Sequence, residues 1–309
     1  MAWDLVLIAA GLVFLFLGGE ALVRGSVSLA ARFGLSALLV SLVIVGFGTS
    51  APELLVSVQA ALAGSPDIAL GNVLGSNTAN ILLIGGTAAV IAPLALAGAH
   101  VKRDAIMMVA ASLAIVAILW TGTVSRLLAL AMVSALIAYL VFAYVSEQRD
   151  EETSAAPPQA NLGLAMSLLA AFGGIAALVF GASLMVDGAT ALARGVGISE
   201  AVIGLTVVAV GTSLPELAAT ISASRKGQTE VVVGNILGSN VFNLLAILGI
   251  TALITPIPVA AQFASFDAPV MAGVAVVAAI ALLTLRRIGR TAGGALLAAY
   301  AGYVAIQVV

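Results

Sequence analysis

Two hexapeptides hold the residues best suited to chemistry. Gly48, Thr49, Ser50, Pro52 and Glu53 form the pattern GTSxPE, and Gly211, Thr212, Ser213, Pro215 and Glu216 repeat it. Proline removes a backbone donor and frees a carbonyl about one turn earlier, and the glycine loosens the same turn. On a helix, Thr49, Ser50 and Glu53 stand at i, i+1 and i+4, so their oxygens collect on one side of that opening. A second pattern, GNxLGSNxxN, sets Ser76 one turn before Asn80 and Ser239 one turn before Asn243, with Asn72, Asn77, Asn235 and Asn240 as further amides. Carboxylates, hydroxyls, amide oxygens and freed carbonyls make an all-oxygen set. Such a set suits hard cations: Ca²⁺ takes about six to eight oxygens, and Na⁺ shares such ligands.

The rest of the composition says where these residues must sit. Of 309 residues 62% are hydrophobic and 8% charged, against about a quarter charged in an ordinary soluble domain. Mean hydropathy is +1.22. The bilayer is therefore the expected solvent, and the 32 glycines suit helices that approach through small residues. With no Cys and one His, thiolate sites, disulfides and most His-based catalysis are excluded. A net charge of -2 without a basic cluster argues against nucleic-acid binding. The first apolar stretch lacks a positive leader and a cleavage site, so a retained span is expected.

Apolar segments long enough to cross ~30 Å of hydrocarbon fall at about 5–30, 35–62, 68–92, 104–120, 126–145, 163–190, 200–224, 230–254, 267–285 and 291–309, ten in all. With the N-terminus outside, Arg24, Arg32, Lys102, Arg103, Arg149, Arg225, Lys226, Arg286, Arg287 and Arg290 reach the cytoplasmic side, and only Arg126 and Arg194 the outer side. That asymmetry sets the expected orientation, with both termini outside a cell (inner) membrane. Residues 146–161, rich in charge, Pro and small residues, read as a cytoplasmic linker.

Residues 46–86 align without a gap on 209–249, each residue n with n + 163, and Gly25 with Gly188 and Pro93 with Pro256 keep that spacing. Five spans separate equivalent points, and an odd number inverts the second copy. The basic residues follow the inversion. Arg225 and Lys226 stand where the first copy has Leu62 and Ala63, and Lys102 and Arg103 where the second has Ser265 and Phe266. The expected fold is an all-α polytopic membrane protein of ten helices in two inverted five-helix repeats, 1–145 and 162–309. An ionisable group inside a span costs at least ~2.5–3.5 kcal/mol, so Glu53 and Glu216 are expected to serve a function.

At these motifs the sequence resembles the sodium/calcium exchanger family of the cation/calcium antiporter superfamily, in its prokaryotic form. The resemblance covers both signature repeats and the ten-span layout. It implies a Na⁺/Ca²⁺ antiporter working by alternating access, electrogenic, with the first and sixth spans moving against the bundle that holds the ions. It also implies the ligands: the Gly46 carbonyl, Thr49, Ser50, Glu53, Ser76 and Asn80, and the Ala209 carbonyl, Thr212, Ser213, Glu216, Ser239 and Asn243. Potassium-dependent relatives resemble a form with Asp at one of the two positions held here by Asn80 and Asn243, so the double Asn argues against K⁺ coupling. The proton-coupled branch departs from both motifs, which favours Na⁺. The expected partners are thus Ca²⁺, Na⁺, H⁺ as a competitor and the lipid bilayer, with no cofactor.

Other readings stay open on the residues alone. A proton-coupled divalent antiporter and a passive channel use similar ligands. An intramembrane hydrolase lacks a group to activate its nucleophile, so no enzyme is expected. Glu20 and Arg24, one turn apart, read as an intrahelical pair, with a gate contact as the alternative. His100 reads as a loop residue beside Lys102 and Arg103. Asp67 and Glu230 precede spans three and eight, where a helix start favours a carboxylate. Asp4, Asp187, Asp267 and Glu200 read as boundary residues, and Asp150, Glu151 and Glu152 as solvated linker.

Overall fold

The computed structural model describes residues 2–95, 99–149, 162–195, 209–285 and 287–308. The chain folds as helices, because in hydrocarbon each backbone polar group must be satisfied within its own segment. In order they are α1 (Ala2–Phe33), α2 (Ala37–Thr49), α3 (Ala51–Leu62), α4 (Pro66–Ile91), α5 (Ala99–Leu119), α6 (Arg126–Arg149), α7 (Leu164–Gly195), α8 (Ala209–Thr212), α9 (Leu214–Arg225), α10 (Thr229–Ile254), α11 (Phe263–Thr284) and α12 (Arg290–Val308). Among the described residues each expected span has a helix or a broken pair at its place, residues 200–208 of the seventh lying outside the description. Six of the described helices are long and apolar enough to cross a membrane, and the pair α2 and α3, bent by 42°, would make a seventh. The other three are α5, the pair α8 and α9, and α12, and two of these have local reasons. Helix α5 opens on Lys102, Arg103 and Asp104, and the residues before α8 lie outside the description.

The break between α2 and α3 falls at Ser50, and that between α8 and α9 at Ser213. Each is followed by the motif proline at the start of the next helix, the place where proline costs no hydrogen bond. Gly64 (φ 75°) and Gly227 (φ 68°), a pair at the 163 spacing, then turn the chain in the left-handed conformation that only glycine adopts freely. Helices α4 and α10 widen into π-helical turns at Asn80–Ile84 and Asn243–Ile247, again 163 apart. Such turns are rare and gather at functional sites.

Packing brings the two halves together. Helices α1 and α7 lie antiparallel along a seam of small residues. A Cβ on Gly11 would come within 2.7 Å of Gly181 O, one on Gly18 within 2.9 Å of Gly174 O, and one on Gly25 within 2.4 Å of Ala171 N. Helix α2 presses equally closely on α10, where Gly234 and Gly238 admit the carbonyls of Leu38 and Leu42. Two short ladders join the halves elsewhere. Strand β1 (Leu94–Ala95) pairs with β4 (Arg287–Ile288), and β2 (Thr123–Val124) with β3 (Ile257–Pro258). The ladders exchange under the same spacing to within one residue. Leu70, Leu74, Met108, Ile115 and Leu237 fill the main core, while Leu22, Leu29 and Leu178 fill a second one along α1 and α7. Large apolar side chains such as Leu127 (78% exposed) and Leu169 (66%) form an outer surface suited to lipid and not to water.

Some sequence expectations shift. His100 sits in the first turn of α5 and not on a loop, since that helix starts five residues before the predicted 104. Asp267 is buried at 4% exposure within α11, which begins at Phe263. Helix α6 runs on to Arg149, so residues 146–149 of the expected linker are helical. The remainder of that linker, with Asp150, Glu151 and Glu152, and also Glu200 and Arg286, lies outside the described residues, as do the side chains of Arg149 and Arg194.

Candidate functional site

The breaks at Ser50 and Ser213 stand back to back, and the motif side chains interlace across them. Ser50 Oγ donates to Glu216 Oε1 at 3.0 Å, not to the glutamate of its own motif, and Ser213 Oγ reaches Glu53 Oε1 at 3.4 Å. Thr49, Ser50, Glu53, Ser76, Asn80, Thr212, Ser213, Glu216, Ser239 and Asn243 are all buried, none more than 7% exposed. Each carboxylate keeps a second oxygen, Glu53 Oε2 and Glu216 Oε2, with no hydrogen-bond partner among the described residues. Both side-chain atoms of Asn80 and of Asn243 are in the same position. Buried polar atoms are rarely left so, because each unsatisfied group costs about 1–3 kcal/mol. A bound cation would satisfy the oxygens.

The amides sort into two roles that the sequence did not separate. Asn72 Nδ2 donates to the Glu53 carbonyl at 3.0 Å and to Ser57 Oγ at 2.9 Å, while Asn235 Nδ2 donates to the Glu216 carbonyl at 3.3 Å and to Thr220 Oγ1 at 2.9 Å. These bonds tie α4 to α3 and α10 to α9, just behind the glutamates. Asn77 and Asn240 instead donate to carbonyls of their own helices, Val73 O and Ile236 O, both at 2.7 Å. Ser57 and Thr220 were not singled out in the sequence, although they too stand 163 apart. Gly46, also predicted, offers its carbonyl to Ser239 Oγ at 3.4 Å, and a Cβ there would meet Gly238 and Ser239 backbone at 3.0 Å. Ala209 opens α8, next to residues that are not described.

No group of three or more His, Cys, Asp or Glu side chains suited to a metal forms among the described residues. The site therefore draws its charge from two carboxylates and the rest of its donors from neutral oxygens. That balance suits exchangeable hard cations better than a resident transition metal.

Away from this centre, Glu20 on α1 meets more than the predicted Arg24. Its Oε1 lies 2.8 Å from Arg24 and 2.7 Å from Lys226, and Ser222 Oγ donates to its Oε2 at 3.2 Å. The intrahelical pair is thus present, and Glu20 in addition meets the end of α9. Asp104, overlooked in the sequence, is fully buried. It pairs with Arg103 at 2.5 Å and accepts from Tyr139 Oη at 2.8 Å, which fastens α5 to α6. Its counterpart at the 163 spacing is Asp267, and that spacing was the available signal.

Comparison with known proteins places the chain in a family. Residues 3–145 and 166–309 match the family described as sodium/calcium exchanger protein. The chain is 30% identical over 342 residues to sodium/calcium exchanger MaX1 of Methanosarcina acetivorans, with 98% of each chain covered. It is 35% identical over 291 residues to inner membrane protein YrbG of Escherichia coli, covering 91% of this chain and 88% of that one. Among solved structures, the sodium-calcium exchanger NCX_Mj soaked with 2.5 mM Na⁺ and 10 mM Sr²⁺ superposes with a TM-score of 0.87 at 28% identity, over 98% of both chains. Both halves of the chain, with the glutamate motifs inside them, belong to the sodium/calcium exchanger family of antiporters.

Proposed function

We propose that the protein exchanges Na⁺ for Ca²⁺ by alternating access, as ten spans in two inverted repeats, 1–145 and 162–309, with both termini outside and residues 146–161 in the cytoplasm. The inner membrane is its expected place, as the name of the Escherichia coli relative says of that protein. The observation that carries the reading is the interlaced pair, Ser50 on Glu216 and Ser213 on Glu53, with a second oxygen of each buried carboxylate left over. One Ca²⁺ neutralises the two carboxylates. Monovalent ions must use more sites to match it, and any Na⁺ load above two makes the cycle move charge. The ligands assigned are Glu53, Glu216, Thr49, Ser50, Thr212, Ser213, Ser76, Asn80, Ser239, Asn243 and the carbonyls of Gly46 and Ala209. The antiparallel glycine seam fits α1 and α7 closely to each other, which supports the reading that the two move as one pair against the ion-holding bundle.

The test is ⁴⁵Ca²⁺ uptake into Na⁺-loaded vesicles. Uptake should require internal Na⁺, respond to an imposed membrane potential, and vanish in Glu53→Gln and in Glu216→Gln. Uptake driven by a pH gradient without Na⁺ would establish the proton-coupled alternative. Ca²⁺ entry with no counter-ion at all would mean a pore.

A further inference from the structure

Helices α4, α10, α11 and α12 enclose a hollow of about 590 Å³, and every residue that lines it is apolar. The volume lies within the ~300–1,000 Å³ of ligand sites. Val277 on its rim is 64% exposed, so the hollow opens on the outer, lipid-facing surface. Along α11 it runs from Val270 to Leu285, about 22 Å at 1.5 Å per residue. One leaflet of a ~30 Å hydrocarbon core is about 15 Å deep. The hollow is therefore long enough to hold a chain that runs from the membrane surface to the midplane.

The inverted copy puts bulk at the same place. Gly85, Ala278 and Ala281 line the hollow, and their counterparts at the 163 spacing are Leu248, Ile115 and Ile118. Leu248 and Ile115 are fully buried in the main core. A Cβ on Gly85 would meet only Asn80 O and Ile236 Cδ1, both at an ordinary 3.6 Å, and one on Gly273 nothing within 4 Å. An apolar wall facing a void forfeits its dispersion contacts, and an acyl chain restores them.

One end of the hollow carries charge. Leu285 and Ile288 line it there, and Arg287 stands between them in sequence, exposed, its side chain without a hydrogen bond or ion pair among the described residues. Arg290, also exposed, uses Nε on Val90 O at 3.1 Å. Residues 268–309 hold three arginines and no acidic residue. Orientation in the membrane accounts for arginines at this end, but not for an apolar hollow leading away from them.

We infer that the hollow binds an anionic phospholipid, one acyl chain lying along α11 and α12 and the phosphate held at Arg287 and Arg290. Basic groups at the mouth of a cleft between membrane helices suit such head groups. The site is separate from the ion centre but backs onto it. Ile81 and Leu82 line the hollow from the π-helical turn of α4, directly after Asn80, and Ile236 and Leu237 line it from α10, between Asn235 and Ser239. A lipid tail in place braces both helices behind the assigned ligands and so favours transport; this last step alone rests on the antiporter reading.

The experiment strips lipid from the full chain in detergent, offers phosphatidylglycerol or phosphatidylcholine, and counts bound lipid by native mass spectrometry. The unaltered protein should retain phosphatidylglycerol in preference to phosphatidylcholine. Arg287→Gln should weaken phosphatidylglycerol binding about five-fold, the factor that ~1 kcal/mol per arginine makes in an equilibrium. Ala278→Ile, which gives the hollow the residue of the other half, should lower retention of both lipids. Equal retention of the two lipids by the unaltered protein, or binding unchanged by Arg287→Gln, overturns the inference, and so does full retention in Ala278→Ile. If Ala278→Ile does not yield a single species, the exposed Arg287→Gln decides. In phosphatidylcholine vesicles with and without phosphatidylglycerol, the anionic lipid should speed ⁴⁵Ca²⁺ uptake by the unaltered protein and not by Ala278→Ile. A rise shared by both is the pull of surface charge on Ca²⁺ and overturns the bracing of α4 and α10. No uptake by the unaltered protein in either lipid would defeat the antiporter reading, while the lipid count would still decide the site.

Discussion

The centre of the molecule and the inner end of α1 obey different rules. At the centre, contacts come in pairs related by the 163 spacing: Ser50 to Glu216 and Ser213 to Glu53, Asn72 to Ser57 and Asn235 to Thr220, Asn77 to Val73 and Asn240 to Ile236. At the end of α1 the pairing fails. Glu20 binds Arg24, Lys226 and Ser222, but the corresponding positions hold Ser183, Asp187, Ala63 and Gln59. The ion site proposed for the centre needs both copies alike, because in that proposal each half completes the other's ligands. The ends of inverted copies face opposite sides, and there a difference gives one access state a contact that its mirror state lacks.

The largest effect expected is also the sharpest test of equivalence at the centre. Glu53→Gln and Glu216→Gln should each lower Ca²⁺ transport by more than about 100-fold, as expected when one charge is removed from a buried set worth about 3–5 kcal/mol. The two losses should match within a few-fold. A large difference between them would break the symmetry argued from the paired hydrogen bonds. Acidification should mimic both changes, because a proton on either carboxylate cancels charge that Ca²⁺ needs. Uptake that stays flat as pH falls would speak against their shared role.

The seam between α1 and α7 should give an intermediate effect, and adjacent glycines make the comparison internal. A Cβ on Gly174 would lie 2.6 Å from Leu22 N and 2.8 Å from Gly18 O, whereas one on Gly173 meets nothing within 4 Å. Gly174→Ala must push two backbones apart, and such overpacking costs about 1–3 kcal/mol. Gly173→Ala should be neutral or gain up to about 1 kcal/mol of helix propensity. Thermal unfolding in detergent distinguishes them: a lower Tm for the first and an equal or higher one for the second.

The repeat, the two glutamates and the broken helices were legible because each leaves a local mark: a fixed spacing, a charge among apolar residues, a proline after a polar pair. Partner choice was not. That Ser50 serves Glu216, and Ser213 serves Glu53, depends on how the halves face each other, and no spacing within one half encodes it. The amides show the same limit. Asn72 and Asn77 look alike in sequence, yet one reaches across to α3 and the other bonds its own helix, because their positions on α4 point to different neighbours. Asp104 was overlooked and Asp267 read as a boundary residue, because at the margins of predicted spans a boundary error of a few residues turns a buried carboxylate into an apparent surface one. The Glu20 cluster needed both halves in place, since Lys226 is about two hundred residues away in sequence.

That cluster yields the smallest predicted effect and the one that tests the asymmetry itself. Glu20 and Lys226 are 28% and 27% exposed, so solvent screens their attraction, and pairs of this kind contribute about 0.2–1 kcal/mol. Substituting either residue by glutamine should therefore change the half-saturating Ca²⁺ concentration by no more than about five-fold. The informative quantity is the coupling. If the contact holds α1 against α9 in one access state, Glu20→Gln and Lys226→Gln should be non-additive, the double variant shifting no further than either single one. The shifts should be opposite in sign for Ca²⁺ offered from the two sides of the membrane, because weakening one access state favours the other, and should shrink as ionic strength rises. Equal shifts from both sides would make the cluster a structural tie, and the difference between the two ends of the molecule would then have no bearing on which way it opens.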